Sequence, residues 1–96
     1  MYRMAVSVLY FAELKEATKK DEESFALENS NVKELINLLF EKYNSLKNII
    51  WDDNSKNLRS NVSIALNDTI VQNDDKLSLS LSSGDKIAFL LPMSGG

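Results

Sequence analysis

Val32, Leu35, Ile36, Leu39, Phe40 and Tyr43 recur at i, i+3, i+4, i+7, i+8 and i+11, the spacing that lines one face of an α-helix. Asn31 stands before them as an N-cap, and Glu34 sits three residues on, where a capping box places its acid. No other stretch carries so long a helical stripe, and most of the remaining apolar runs alternate with period two. That combination narrows the fold. A sheet has two faces, and one main helix covers only one of them. The expected class is α+β: a mixed sheet of four to five strands with one main helix packed on one face.

The alternating runs supply the strands. In "MAVSVLYF" (4–11), Val6, Val8 and Tyr10 share one face and Ser7, Leu9 and Phe11 the other. "SFALE" (24–28) reads as a second strand, and "VSIALN" as a third, with "NDT" turning the chain into a brief "IV" segment. Leu77, Leu79 and Leu81 alternate before Ser83-Gly84-Asp85, a turn in which Gly84 takes positive φ. "KIAFLLP" is the last strand. "AELKEATKKDEE" lacks a clean apolar stripe and reads as a charged loop with a helical turn. The stretch 46–60 is polar and turn-rich apart from Ile49-Ile50-Trp51 and receives no assignment. Residues 1–92 form the domain and residues 93–96 a flexible tail.

Composition excludes whole classes of chemistry. There is no cysteine and no histidine among the 96 residues. Disulfides, thiolate nucleophiles and the commonest general base are therefore absent, and a reducing, cytoplasmic setting is expected. The net charge is −3, with lysines mixed among acids, which argues against nucleic acid as a partner. No apolar run approaches the ~18 residues of a membrane span, and the first residues read as strand, not leader. The acid pairs at Asp21-Glu22-Glu23, Asp52-Asp53 and Asp74-Asp75 lack the spacing of a calcium loop and read as solvated turns. No metal site is expected. The C-terminal serines have no histidine to activate them, so a hydrolase triad is excluded. Leu35 and Leu39 read as core, and Trp51 as a lid over it.

The last strand differs from the others. Ile87, Phe89 and Leu91 point one way, and Ala88 and Leu90 the other, so both faces are apolar. With one helix covering one face, an apolar residue on the open side marks a partner surface. Parity places Phe11 and Ile70 with Leu90 there. The competing reading buries this strand on both sides, with 46–60 as the second cover.

The strand then runs into Pro92, Met93, Ser94, Gly95 and Gly96. At ordinary glycine usage two terminal glycines arise by chance roughly once in 200 chains, and this chain has only three glycines in all. A frayed end is one explanation. The functional one is that residues without Cβ thread a narrow channel and leave the Gly96 carbonyl carbon open to attack. A carboxylate is a poor electrophile; acyl-adenylation with ATP supplies a leaving group that sulfur or an amine then displaces. That chemistry needs no catalytic side chain from this protein. It fits a carrier better than an enzyme, one not catalytic alone.

Together "VLYFAEL", "NVKELINLL", "ALNDTIV" and "LSSGDKIAFLLPMSGG" resemble the small subunit of molybdopterin synthase, a MoaD-like sulfur carrier of the ubiquitin-like β-grasp family. The resemblance spans essentially the whole chain. It implies that Gly96 is adenylated by a ubiquitin-activating-type adenylyltransferase, then thiocarboxylated, and donates its sulfur to cyclic pyranopterin monophosphate. ATP and Mg belong to the activating enzyme, and no cofactor is bound by this chain. The implied partner is the large synthase subunit, in a heterotetramer with two of each. Phe11, Ile70 and Leu90 fall on apolar contact positions of that family, and Pro92 to Gly96 on its inserted tail. Leu90 and Leu91 stand where the family often has a second aromatic and a first proline. Other readings stay open: a carrier for thiamin synthesis or tRNA thiolation, a ubiquitin-like modifier conjugated through Gly96, or a β-grasp interaction module with an idle tail.

Overall fold

A computed structural model describes residues 4–28, 31–72 and 75–91. Ten elements follow in order: β1 (Met4–Leu9), α1 (Ala12–Thr18), β2 (Glu22–Leu27), α2 (Val32–Lys42), α3 (Asn44–Ile50), β3 (Trp51–Asp52), β4 (Asn57–Leu58), β5 (Ser63–Leu66), β6 (Thr69–Ile70) and β7 (Lys86–Leu90). Five strands join in the order β2-β1-β7-β5-β6, and β3 pairs with β4 in a separate two-stranded ribbon. The sheet is mixed. β1 and β7 run parallel at its centre, while the β1–β2, β5–β7 and β5–β6 pairs are antiparallel. This is the expected α+β, β-grasp arrangement, with α2 across one face.

The period-two runs decide which side chains go inside. Val6, Val8 and Tyr10 of the first run are buried with Ile64, Ile87 and Phe89, and the inner face of α2 (Val32, Leu35, Ile36, Leu39) closes over them. The helix begins as its sequence requires: the Asn31 Oδ1 accepts the Glu34 N–H at 2.9 Å. The Glu34 carboxylate reaches further back and accepts the Glu28 N–H at 2.9 Å. Two more donors of the first turn are satisfied by the chain before Gly84. Val32 N–H donates to the Leu79 carbonyl (3.1 Å) and Lys33 N–H to that of Leu77 (3.0 Å). The Leu77–Leu81 alternation is thus not a ladder strand. It touches Asn31 through a single bridge at Ser80 and serves to cap a helix whose first N–H groups have no internal partner.

Three stretches depart from the sequence reading. "AELKEAT" is a full helix, α1, not a loop. Its stripe is only Leu14 and Thr18, one turn apart and both buried, and the Thr18 hydroxyl donates back to the Leu14 carbonyl at 3.0 Å. The second strand starts two residues earlier than "SFALE", at Glu22. The unassigned 46–60 stretch contributes α3, which buries Leu46 and Ile50 against α1 and α2, and then the β3–β4 ribbon. Its helical neighbours set it in the helix layer, so it is not the second cover of β7.

Candidate functional site

The face of the sheet away from α2 carries a depression of about 360 Å³ lined by Leu9, Phe11, Ala65, Asp68, Ile70, Lys86, Ala88 and Leu90. Register explains the assembly. Leu9 stands beside Ala88 across the parallel β1–β7 pair, Ala88 opposite Ala65, and Ala65 opposite Ile70. Directly opposed residues point to the same side of a sheet, so all share the open face. The two alanines are the floor, because a methyl group leaves room that a larger side chain would fill. Phe11, Ile70 and Leu90 are the apolar wall. Phe11 and Ile70 are 52% and 45% exposed, the two large apolar side chains of the described residues that are. Such exposure sets this face apart from the rest of the surface. Asp68 and Lys86 set opposite charges on its rim.

One end of the depression is held by a pair of turns. Asn67 and Asp68 both take positive φ (51° and 71°), the turn geometry that joins β5 to β6 and that Asn and Asp tolerate. The Asn67 side chain bridges the strands' ends: its Nδ2 donates to Asp85 Oδ1 (2.9 Å) and its Oδ1 accepts the Lys86 N–H (2.9 Å). Gly84 has φ of 90° and donates its N–H to the Ala5 carbonyl at 2.8 Å. These bonds fix where β7 starts, and so where Lys86, Ala88 and Leu90 lie.

The structure therefore brings Phe11, Ile70 and Leu90 onto one surface. Gly96 and the tail residues Pro92, Met93, Ser94 and Gly95 lie outside the described residues, as does Asp74. Leu35 and Leu39 are core. Trp51 is partly buried and packs edge-on against Phe40, ring centroids 5.7 Å apart. The Asp52 carboxylate accepts from Asn54 N–H (3.0 Å) and Ser55 Oγ (3.1 Å), tying its own turn. Among the described residues no three carboxylates converge as metal ligands. A polar hollow of about 430 Å³ beside β4 includes Arg59 and Lys76, but both cations are engaged. Arg59 donates to the Asn48 carbonyl (2.9 Å) and Lys76 to that of Val62 (2.9 Å).

Glu23 was hidden among acids that read as a solvated turn. It lies on the inner face of β2, with its side chain only 9% exposed. It accepts from the hydroxyls of Tyr10 (3.0 Å) and Tyr43 (2.8 Å), from Lys20 Nζ (3.2 Å) and from Lys42 Nζ. Burial alone raises a carboxyl's pKa, yet the bonds from Lys42, Tyr43, Lys20 and Tyr10 outweigh it and draw Glu23 down to about 2. Burial first, and then the adjacent carboxylate, push the Tyr10 hydroxyl above the usual phenol range. The available signal was parity: Glu23, Phe25 and Leu27 alternate with exposed Glu22, Ser24 and Ala26.

The sequence model of the ThiS family matches residues 8–96. Among solved structures, small archaeal modifier protein 1 from Methanosarcina acetivorans is 30% identical, with a TM-score of 0.79 over 100% of both chains. A Pyrococcus furiosus protein assigned as molybdopterin converting factor, subunit 1, is 25% identical, with a TM-score of 0.69 over 94% of this chain and 99% of that one. Urm1 from Trypanosoma brucei shares the fold at 17% identity, with a TM-score of 0.73 over 100% of this chain and 99% of that one.

Proposed function

The chain belongs to the ThiS family of ubiquitin-like β-grasp sulfur carriers and modifiers, and on that premise we propose that it is the sulfur-carrier small subunit of a molybdopterin synthase. One observation carries the reading. The exposed apolar pair Phe11 and Ile70 frames the end of β7 at Leu90, the strand that leads into the Gly95-Gly96 sequence. A carrier needs such a pairing of a docking face and a slender reactive end. The likeness to the Pyrococcus furiosus protein supports the molybdopterin assignment.

In this reading the Gly96 carboxylate attacks the α-phosphorus of ATP on an adenylyltransferase and expels pyrophosphate. A sulfur nucleophile then displaces AMP from the acyl carbon, leaving a thiocarboxylate. The open face docks on the large synthase subunit and the tail enters its site. The thiocarboxylate sulfur bonds to a carbon of cyclic pyranopterin monophosphate, and water cleaves the acyl carbon–sulfur bond to regenerate the Gly96 carboxylate. Two such transfers, each from a fresh thiocarboxylate, supply the two sulfurs of the dithiolene. The chain's own residues supply docking and reach; the partners supply catalysis, ATP and Mg. Purified thiocarboxylated protein, mixed with a large subunit and the pyranopterin, is expected to yield the dithiolene product and to co-elute with that subunit. Intact folding with neither outcome would contradict the assignment.

A second reading is favoured by the likeness to small archaeal modifier protein 1 over the whole of both chains. There the activated Gly96 carbonyl is taken by a lysine amine, giving an isopeptide bond. Conjugates that survive denaturing gels, and vanish when Gly96 is deleted, would favour this reading over the free carrier.

A further inference from the structure

The excursion between α3 and β5 ends in a turn. Val62 N–H donates to the Arg59 carbonyl at 3.0 Å, and Ser63 just beyond stands opposite Leu90 at the end of the sheet. Beside this turn lies the polar hollow of about 430 Å³. Its cations, Arg59 and Lys76, are held by carbonyls. The Arg59 guanidinium donates to the Asn48 carbonyl (2.9 Å) in the last turn of α3, where a helix leaves carbonyls without internal partners. Lys76 Nζ donates to the Val62 carbonyl (2.9 Å). A carbonyl fixes a cationic head without neutralising it, and neither cation has a carboxylate at ion-pair distance among the described residues. Each of these bonds uses one N–H, where Arg has about five and Lys about three to give.

Further donors line the same hollow. The N–H and hydroxyl of Ser60 have no hydrogen-bond partner among the described residues. Asn57 Oδ1 accepts the Leu58 N–H at 2.7 Å, which leaves its Nδ2 to donate. The one carboxylate among the described lining residues is Asp52 of β3. Its oxygens accept from Asn54 N–H (3.0 Å) and Ser55 Oγ (3.1 Å), and the lone pairs that remain attract hydroxyls and repel an anion. The neighbouring Asp53 is drawn to Lys47 at 3.8 Å. The hollow is thus two-sided. The Arg59–Val62 turn and Lys76 supply positive charge and donors, while Asp52 and Ser55, at the β3–β4 ribbon, supply acceptors.

We propose that this hollow binds a phosphate monoester of a small polyol, in chemical class a sugar phosphate. The phosphate sits on Arg59, Lys76 and Ser60, and the hydroxyls of the organic part meet Asp52 and Ser55. The terminal oxygens of a phosphate spread around a tetrahedron and meet donors arriving from the turn, from Asn57 of β4 and from Lys76. A carboxylate, whose two oxygens lie in one plane, would leave several of those donors unmet. The volume falls among small-ligand sites, about 300–1,000 Å³, so a bare anion would leave most of it to water. No aromatic side chain stands among the described lining residues, so a nucleobase would gain no stacking partner. The hollow shares no described lining residue with the Phe11–Ile70–Leu90 face, and the proposal stands apart from the carrier reading.

The test is an amide-shift titration of the isotope-labelled full chain with ribose 5-phosphate, inorganic phosphate, ribose, AMP and a triglutamate peptide, at one ionic strength set with sodium chloride. Ribose 5-phosphate is expected to shift the amides of Asn57, Arg59, Ser60 and Lys76 and to leave Phe11 and Ile70 unmoved. It should bind about tenfold more tightly than inorganic phosphate, with AMP equal to it and ribose giving no shift. R59Q and K76Q remove a charge but keep an N–H for the carbonyl, and each is expected to weaken ribose 5-phosphate about tenfold or more. D52N is expected to tighten inorganic phosphate while narrowing its gap from ribose 5-phosphate, a pair of effects that a merely loosened fold does not give. Should R59Q and K76Q fail to fold, D52N and the ligand series decide. Unchanged affinity in R59Q and K76Q, equal affinity for inorganic phosphate and ribose 5-phosphate, or shifts spread equally over Lys15 and Lys86 would overturn the proposal. So would AMP binding tenfold more tightly than ribose 5-phosphate, which would make the ligand a nucleotide. Tighter binding of triglutamate would assign the hollow to an acidic protein segment and overturn it too.

Discussion

Replacing Glu23 by Gln removes the charge on which two tyrosines and two lysines converge, and nearly preserves shape. The wild-type carboxyl titrates near 2 in the folded protein against an ordinary 4.5. A folded pKa below the unfolded one stabilises above the unfolded value, and that stability is lost as pH falls through the folded value. The full shift corresponds to at most about 3 kcal/mol. Lys20 and Lys42 are half exposed (46% and 50%), so solvent screens their share, and about 2 kcal/mol is expected at neutral pH. For a domain of this length that is a drop in Tm of about 8–16 °C. Thermal unfolding followed by circular dichroism, on wild type and E23Q in parallel, reads the effect. The gap between them should be constant above pH ~5 and should close as pH falls from about 4.5 toward 2. Parallel stability curves for the two proteins across that window, or equal stability at neutral pH, would refute the role given to Glu23.

The groove makes a different demand. Ile70→Asp is expected to leave stability within about 0.5 kcal/mol, since the residue is half exposed, while weakening capture of the adenylyltransferase or large subunit by tenfold or more; paired urea unfolding and binding measurements separate the two. Leu46→Ala and Ile50→Ala are each expected to cost about 2–4 kcal/mol in urea unfolding, because both side chains are buried; a loss below about 0.5 kcal/mol would make α3 a detachable excursion. Gly84→Ala meets no atom within 4 Å, so its cost of about 1–2 kcal/mol comes from the backbone at φ of 90°. A thermal scan that shows no loss would mean that the turn relaxes.

The readable parts of the sequence were those where one periodicity ran long enough to decide a face. The stripe from Val32 to Tyr43 and its Asn31 cap specify α2, and the parity of Val6, Val8 and Tyr10 orients β1. The same parity gathers Phe11, Ile70 and Leu90, because sheet faces follow from counting. What was illegible is short or supported from afar. α1 and α3 are seven residues each, with two buried positions apiece, and neither stripe stands out before tertiary packing supplies the reason for it. The Leu77–Leu81 alternation looks like a strand, but its carbonyls serve the start of α2. Glu23 looks like one acid among three, and only the convergence of Tyr10, Lys20, Lys42 and Tyr43 from three other segments gives it a partner set.

The carrier reading rests finally on one atom. Intact-mass measurement of the full chain after incubation with its adenylyltransferase, ATP, Mg and a sulfur donor, followed by mapping of the peptide that contains Gly96, tests it directly. The account predicts one oxygen replaced by one sulfur, located on the Gly96 carboxyl and absent when ATP is withheld. An unmodified Gly96 carboxylate from folded, adenylyltransferase-bound protein would contradict it.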